Sequence, residues 1–427
     1  MGTGSLYDSP SRREALAPTH IFLLLAIFVA ARLLFLYWLP EGTYSADVDN
    51  WIGVNSVFAS GGNPYNATGY LNWPPFWMQI IFAAGRVASA LHVQLVNVLR
   101  CVLVTVESGI LLLTYAVLCR YCSPKRSFWL TLGAIALNPI SILLTCQHCN
   151  FDVFVGFFVL LALHFSLRFN QGGSQIDWLW ACACVGLGVL TKTVPLVLIP
   201  AMAFGVRRLN WSSRILGALL LLGPVSLGIS IIYVLGPQSV SEKVILYRSC
   251  SGWFGITGLL SNAHKPDAIE AYTRFFPKGL MAFLLLWTIL ALRRSRPKGE
   301  ELPLYFLGLL AAVPALGPGY GPQYIYWFLA FLPIVFAATS ARSVRAAIVL
   351  YFVVAIGTYI TEYAMFQSHG SFWVRLHPTP ELSALSGKWS TQSGQVRIRL
   401  PLFYSWILLL LAVFGRAGKS LIRNSGC

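Results

Sequence analysis

Acidic side chains are scarce in this chain. It has 15 Asp and Glu in 427 residues against 31 Lys and Arg, and only 11% of residues are charged while 56% are hydrophobic. So little charge excludes a solvated surface for a chain of this length. Apolar runs near 20 residues recur from 21 to 411, each about long enough to cross a bilayer. The division of length into soluble domains therefore does not apply, and one integral membrane domain over 1–427 is expected. A continuous basic stripe is also missing. The excess of +16 falls in short clusters between apolar runs, which excludes nucleic acid as a partner and marks topology instead. No disulfide framework is evident, because the nine cysteines lie mostly inside or at the ends of the runs, where they act as small apolar fillers. Nor is there an internal repeat, which weighs against an inverted-repeat transporter. The run 21–38 lacks a small-residue cleavage site and is expected to be a retained first helix.

Basic clusters in short loops are expected to face the cytoplasm, and they fix a twelve-span topology with both termini inside. Residues 1–18 form a cytoplasmic tail and 39–95 a long first outer loop. Within that loop, 74–91 carries Arg86 and a Pro-Pro start, so it is expected to lie along the interface rather than cross. Spans follow at about 96–118, 128–144 and up to Arg168. The stretch 178–204 reads either as one long span or as a hairpin hinged at "LTKTVP", and only the hairpin puts Arg207, Arg208 and Arg214 inside. Spans near 215–235 and 276–292, two more flanking "GPGYGPQ", one at 346–364 and a last helix ending at Arg416 complete the set, with 366–400 as the last outer loop. Eighteen of the 31 Lys and Arg then lie inside.

In that topology the few acids gather outside: Asp47, Asp49, Asp152, Glu242, Asp267, Glu270, Glu362 and Glu381. Ionisable groups near a membrane are costly and face cavities. The pair Asp47 and Asp49, in "YSADVDNW", is thus the leading candidate for a general base, with a metal ligand as the lesser alternative, against the structural reading of acids in a helix first turn. The short turn "QHCNFD" offers Gln147, His148, Asn150 and Asp152, a set suited to a sugar or phosphate, with a helix cap as the structural reading. Cys146, His148 and Cys149 mimic a metal spacing. A zinc site wants four ligands, however, and Cys119 and Cys122 lie on the opposite face. No metal and no cofactor is expected. Lys192, between two apolar half-spans, either snorkels or meets an anion such as phosphate. Arg32 near the outer end of the first helix could assist it or be a structural partner. Arg248 in "YRSCSGWFGITGLL" and Gln323 with Tyr324 in "GYGPQYIYW" are candidates for contact with a polar head or sugar, aromatic interfacial anchoring being the alternative.

The residues from Asp47 through Gly61, "NPY" at 63 to 65, Tyr70 and the prolines at 74 and 75 resemble the first outer loop of bacterial polyprenol-phosphate-mannose-dependent mannosyltransferases. These are multi-span enzymes of the type C glycosyltransferase fold. The same stretch resembles the catalytic subunit of GPI mannosyltransferase I, whose loop carries D-x-D, a Gly and a P-Y pair. "LTKTVPLVLIP" is similar to the family's Lys-and-Pro segment and "GPQYIYWFLAFLP" to its P-Q-Y turn, so the resemblance runs over roughly residues 20 to 340. By spacing to Gly61 and Pro64 it matches Asp47 to the catalytic aspartate, while Trp51 stands where the family has Tyr.

The resemblance implies an all-α polytopic enzyme that moves a sugar, mannose in that family, from a polyprenyl-phosphate donor to a glycolipid, glycan or protein acceptor on the outer face. In it Lys192 and Arg248 would bind phosphate and Asp47 would deprotonate the acceptor, with inversion and no general acid. Two rivals come from other classes: a lipid-linked sugar transporter or flippase, and a non-catalytic membrane subunit.

Overall fold

A computed structural model of the chain describes residues 17–67, 73–235, 251–293, 297 and 299–423. Helices account for the architecture, and the only β pairing among the described residues is an isolated bridge of Ser251 with Gly319. In chain order the helices are α1 Pro18–Trp38, α2 Ala46–Ala59, α3 Pro75–Leu91, α4 Leu95–Leu118, α5 Pro124–Ala136, α6 Pro139–His148, α7 Asp152–Asn170 and α8 Gln175–Thr191. They continue with α9 Trp211–Leu235, α10 Gly255–Asn262, α11 Pro266–Leu292, α12 Glu301–Leu316, α13 Phe331–Ala338, α14 Arg342–Met365, α15 Pro380–Trp389 and α16 Gln392–Arg423. Proline opens α1, α3, α5, α6, α11 and α15, where its missing N–H is one the helix would leave unpaired anyway.

Seven helices are long and apolar enough to cross a membrane: α1, α4, α7, α9, α11, α14 and α16. An eighth crossing is the pair α5 and α6, bent by 42°. The chain is therefore a multi-pass membrane protein, with α2 and α3 lying in the first loop and not among the spans. The other four of the twelve expected runs are short or broken. α8 and α12 are apolar but have only 17 and 16 residues. The runs after them are assembled from single turns: Val194–Leu198 with Ile199–Met202, and Pro322–Ile325, Tyr326–Leu329 and α13. Burial explains this: 14 of the 16 residues of α12 are buried, and irregular backbone is tolerated at membrane depth only where protein surrounds it.

The ambiguous stretch 178–204 is a hairpin. α8 stops at Lys192, whose backbone is extended (φ −161°, ψ 143°). The chain then returns so far that the indole of Trp178, at the start of α8, donates to the Met202 carbonyl at 3.0 Å. A Cβ on Gly188 would sit 3.1 Å from the Pro195 ring, so the close approach of the two arms depends on that glycine. Elsewhere helices outrun the apolar pattern: α11 begins at Pro266 and α16 at Gln392, both with polar first turns.

The bend in the third crossing follows from Pro139. Asn138 spans the break, accepting from the Ile140 N–H at 2.9 Å and donating to the Ala134 carbonyl at 3.0 Å. The Ala136 carbonyl accepts instead from Arg32 of α1 at 3.0 Å. Arg32 also donates to Glu107 of α4 at 2.9 Å, to Ser141 at 2.8 Å and to the Phe28 carbonyl at 3.1 Å. Glu107 in turn accepts from Tyr326 at 2.8 Å and from Ser141. Both charged residues are buried. Arg32 is thus a structural partner, and four segments are tied at one point.

Breaking a buried pair strands the surviving charge, at a cost of about 3–5 kcal/mol. Arg32→Met is expected to lower unfolding stability in micelles by about that amount, and Arg32→Met combined with Glu107→Leu to recover a substantial part of it. A single variant as stable as the wild type would contradict the clasp.

Candidate active site

The first loop is docked onto the bundle by residues flanking its aspartates. Ser45 donates to the His148 carbonyl at 3.0 Å and the Trp51 indole to the Cys149 carbonyl at 3.2 Å. Cys149 adopts a left-handed conformation (φ 55°), which turns the chain from α6 towards α7. Trp51 is fully buried against Trp73, Trp77 and Phe151. A tyrosine there would present one ring where the indole presents two with a nitrogen donor.

This docking sets Asp47 in the first turn of α2 with its side chain 31% exposed. Its Oδ2 lies 2.9 Å from His148 Nε2 and accepts from the Asn150 amide at 2.8 Å. Asn150 Oδ1 accepts from the backbone N–H of Asp152 at 2.9 Å. Asp152, buried at the start of α7, holds Lys192 with both oxygens, at 3.0 and 3.2 Å. Lys192, at the tip of the α8 hairpin, also faces the rings of Tyr324 (4.5 Å), Trp327 (5.0 Å) and Phe151 (5.4 Å). A continuous polar path therefore runs from a half-open carboxylate to a cation in an aromatic box.

Behind His148 lies a second layer. His148 Nδ1 is hydrogen-bonded to Tyr363 near the end of α14, and Tyr359 donates to the Tyr363 hydroxyl at 3.3 Å. Glu362 is gripped by Arg399 of α16 through two hydrogen bonds of 2.7 and 3.0 Å. The His369 ring stacks on Tyr363 at 4.9 Å. Gln147 donates to the His369 carbonyl at 2.6 Å and the Tyr363 carbonyl at 3.4 Å, so its amide secures the loop after α14.

Among solved structures, the crystal structure of ArnT from Cupriavidus metallidurans bound to undecaprenyl phosphate matches with a TM-score of 0.51 and 15% identity, over 94% of this chain and 78% of that one. The chain has the type C glycosyltransferase fold. No family model and no curated protein matches by sequence.

Within this type C fold, six of the residues singled out from sequence meet at one end of the bundle: Asp47, His148, Asn150, Asp152, Lys192 and Tyr324. Asp49 sits two residues from Asp47 along the helix and is exposed, on a different face. Gln323 folds back over Gly321. Arg248 and Tyr70 lie outside the described residues. Among the described residues no three His, Cys, Asp or Glu side chains are grouped to hold a metal ion. Tyr363, His369 and Arg399 were not singled out. They lie more than 200 residues from His148 in sequence, and no local motif marks them.

Burial pushes the Asp47 carboxyl upward, but the hydrogen bonds from His148 and the Asn150 amide and the charge of Lys192 outweigh it and hold the group below its ordinary value of 3.8. The folded state therefore favours the ionised form. Its contribution to stability is complete above 3.8 and is lost as pH falls through the lower folded value. The stability difference between wild type and Asp47→Asn is expected to stay constant on acidification to about pH 4 and to close below it. A difference that closes between about pH 5 and 7 would contradict this environment.

Proposed function

We propose that the protein is an integral membrane glycosyltransferase that moves a sugar from a polyprenyl-phosphate donor to an acceptor hydroxyl, with inversion, on the outer face of the membrane. The observation that carries this reading is the joined pair of opposite functions at one end of the bundle. Asp47 Oδ2 takes both hydrogen bonds, and among the described residues Oδ1 receives none. Lys192 turns two donors to Asp152 and has a third to offer. The ligand in the ArnT structure, undecaprenyl phosphate, is of the chemical class that such a donor would release.

In this mechanism the acceptor oxygen attacks the anomeric carbon, whose bond to the phosphate oxygen breaks. The electron pair leaves with the polyprenyl phosphate, and the acceptor proton passes to Asp47 Oδ1. Because the leaving group is a stable anion, a cation can stabilise it as charge develops and no general acid is needed. A carboxylate held ionised is a weak base, sufficient where the proton moves late, after the new C–O bond has begun to form. Mannose is the sugar, as in the family that the first loop resembles, and the acceptor is a glycolipid, glycan or protein. The termini are cytoplasmic.

The test is transfer from a labelled panel of polyprenyl-phosphate sugars to a membrane-lipid acceptor pool by the purified protein. Asp47→Asn is expected to lower the rate about 100-fold to 10,000-fold, and Lys192→Gln about 100-fold. Transport of the donor across liposomes without any acceptor, unaffected by Asp47→Asn, would favour a flippase and overturn the reading.

A further inference from the structure

The protons around Asp47 are fixed by a single backbone group. The Asp152 N–H can only donate, so the Asn150 atom facing it is the amide oxygen and the atom facing Asp47 is the amide nitrogen. Oδ2 of Asp47 is thereby an acceptor. A lone pair of His148 Nε2 against that oxygen would be repulsive, so Nε2 carries the ring proton and donates at 2.9 Å. In neutral imidazole the other nitrogen is then an acceptor. Nδ1 takes the hydroxyl proton of Tyr363, which is free to donate because Tyr363 itself accepts from Tyr359. The chain of donors thus runs one way, from the interior of α14 to the carboxylate.

We infer that His148 and Tyr363 are positioning residues for the Asp47 base: Tyr363 sets the His148 tautomer, and His148 locks one carboxylate oxygen so that the other is turned to the acceptor proton. This rests on the proposed sugar transfer and deepens it. Both side chains are buried, His148 at 3% and Tyr363 at 0% exposure, and act through Asp47. The arrangement matters because a base displaced by about 1 Å loses up to 100-fold in rate even when substrate binding is intact. The charged and titratable groups around the pair are Lys192 with Asp152 beyond Asn150, and His369 with Glu362 and Arg399 beyond Tyr363. Those ion pairs are internally matched.

The experiment measures transfer kinetics against pH for wild type, Asp47→Asn, His148→Ala, His148→Gln and Tyr363→Phe, each checked for thermal unfolding. His148→Ala and Tyr363→Phe are expected to lower kcat about 10-fold to 100-fold with KM within about twofold. His148→Gln, whose amide offers a donor to Oδ2, recovers most of the loss. With His148 gone, burial of Asp47 is less opposed, so the acid limb of kcat/KM moves up from below 3.8 in His148→Ala. The inference is overturned by a rise in KM at unchanged kcat, by an acid limb that does not move, or by His148→Gln behaving as His148→Ala. Transfer by wild type that Asp47→Asn abolishes but both His148 variants leave intact overturns it while leaving the enzyme reading standing. No transfer by wild type overturns both.

Discussion

In hydrocarbon no water completes a hydrogen bond, so every backbone group and charge at membrane depth must find its partner within the chain. Two of the least buried long helices, α9 and α11, meet this by running helically without a break over 25 and 27 residues, each across one internal proline. The interior segments are irregular where protein surrounds them, as in the turns from Pro322 to Leu329 and the arm from Val194 to Met202, whose last carbonyl takes the Trp178 indole. The clasp of Arg32, Glu107, Ser141 and Tyr326 obeys the same rule. At the helix break the Ile140 N–H goes to the Asn138 side chain rather than to the Ala136 carbonyl, and the guanidinium that takes that carbonyl brings a carboxylate and two hydroxyls with it.

The rule also explains why the site stands out. Most polar side chains in the bundle spend their hydrogen bonds on structure: Gln147 on loop carbonyls, Arg399 on Glu362, Asn138 on a helix break. Asp47 is different because only one of its oxygens is engaged and its side chain is partly open. Lys192 is similar in kind, a cation balanced by Asp152 yet walled by aromatic rings that leave its charge effective at short range. Structure and chemistry are separated here oxygen by oxygen.

Much of this was legible in the chain. Scarcity of acid made Asp47 and Asp152 conspicuous, and a lysine between two apolar half-spans marked the tip of the α8 hairpin. That 74–91 is not a span followed from Arg86 and the charge clusters. What sequence could not supply was pairing at a distance. Glu107, in an apolar helix, drew no attention until Arg32, 75 residues before it, met it, and Glu362 was expected as an outer acid with no named partner until Arg399, 37 residues on, closed over it. Tyr363 had no signal at all, since a tyrosine near a helix end is ordinarily an interfacial anchor. The short and broken runs were counted as spans because hydropathy registers apolarity and not whether lipid or protein surrounds it.

The structural reading of Asp47 and Asp49 as first-turn acids and the functional reading of Asp47 as a base are compatible. Helix α2 presents both carboxyls at its positive end, and the register sends one to His148 and the other to solvent. The most direct test of the account is the anomeric configuration of the transfer product, determined by NMR against that of the donor sugar. Single displacement with Asp47 as base predicts inversion. Retention would require a double displacement or attack on the face the phosphate leaves, and would contradict the single displacement assigned to Asp47.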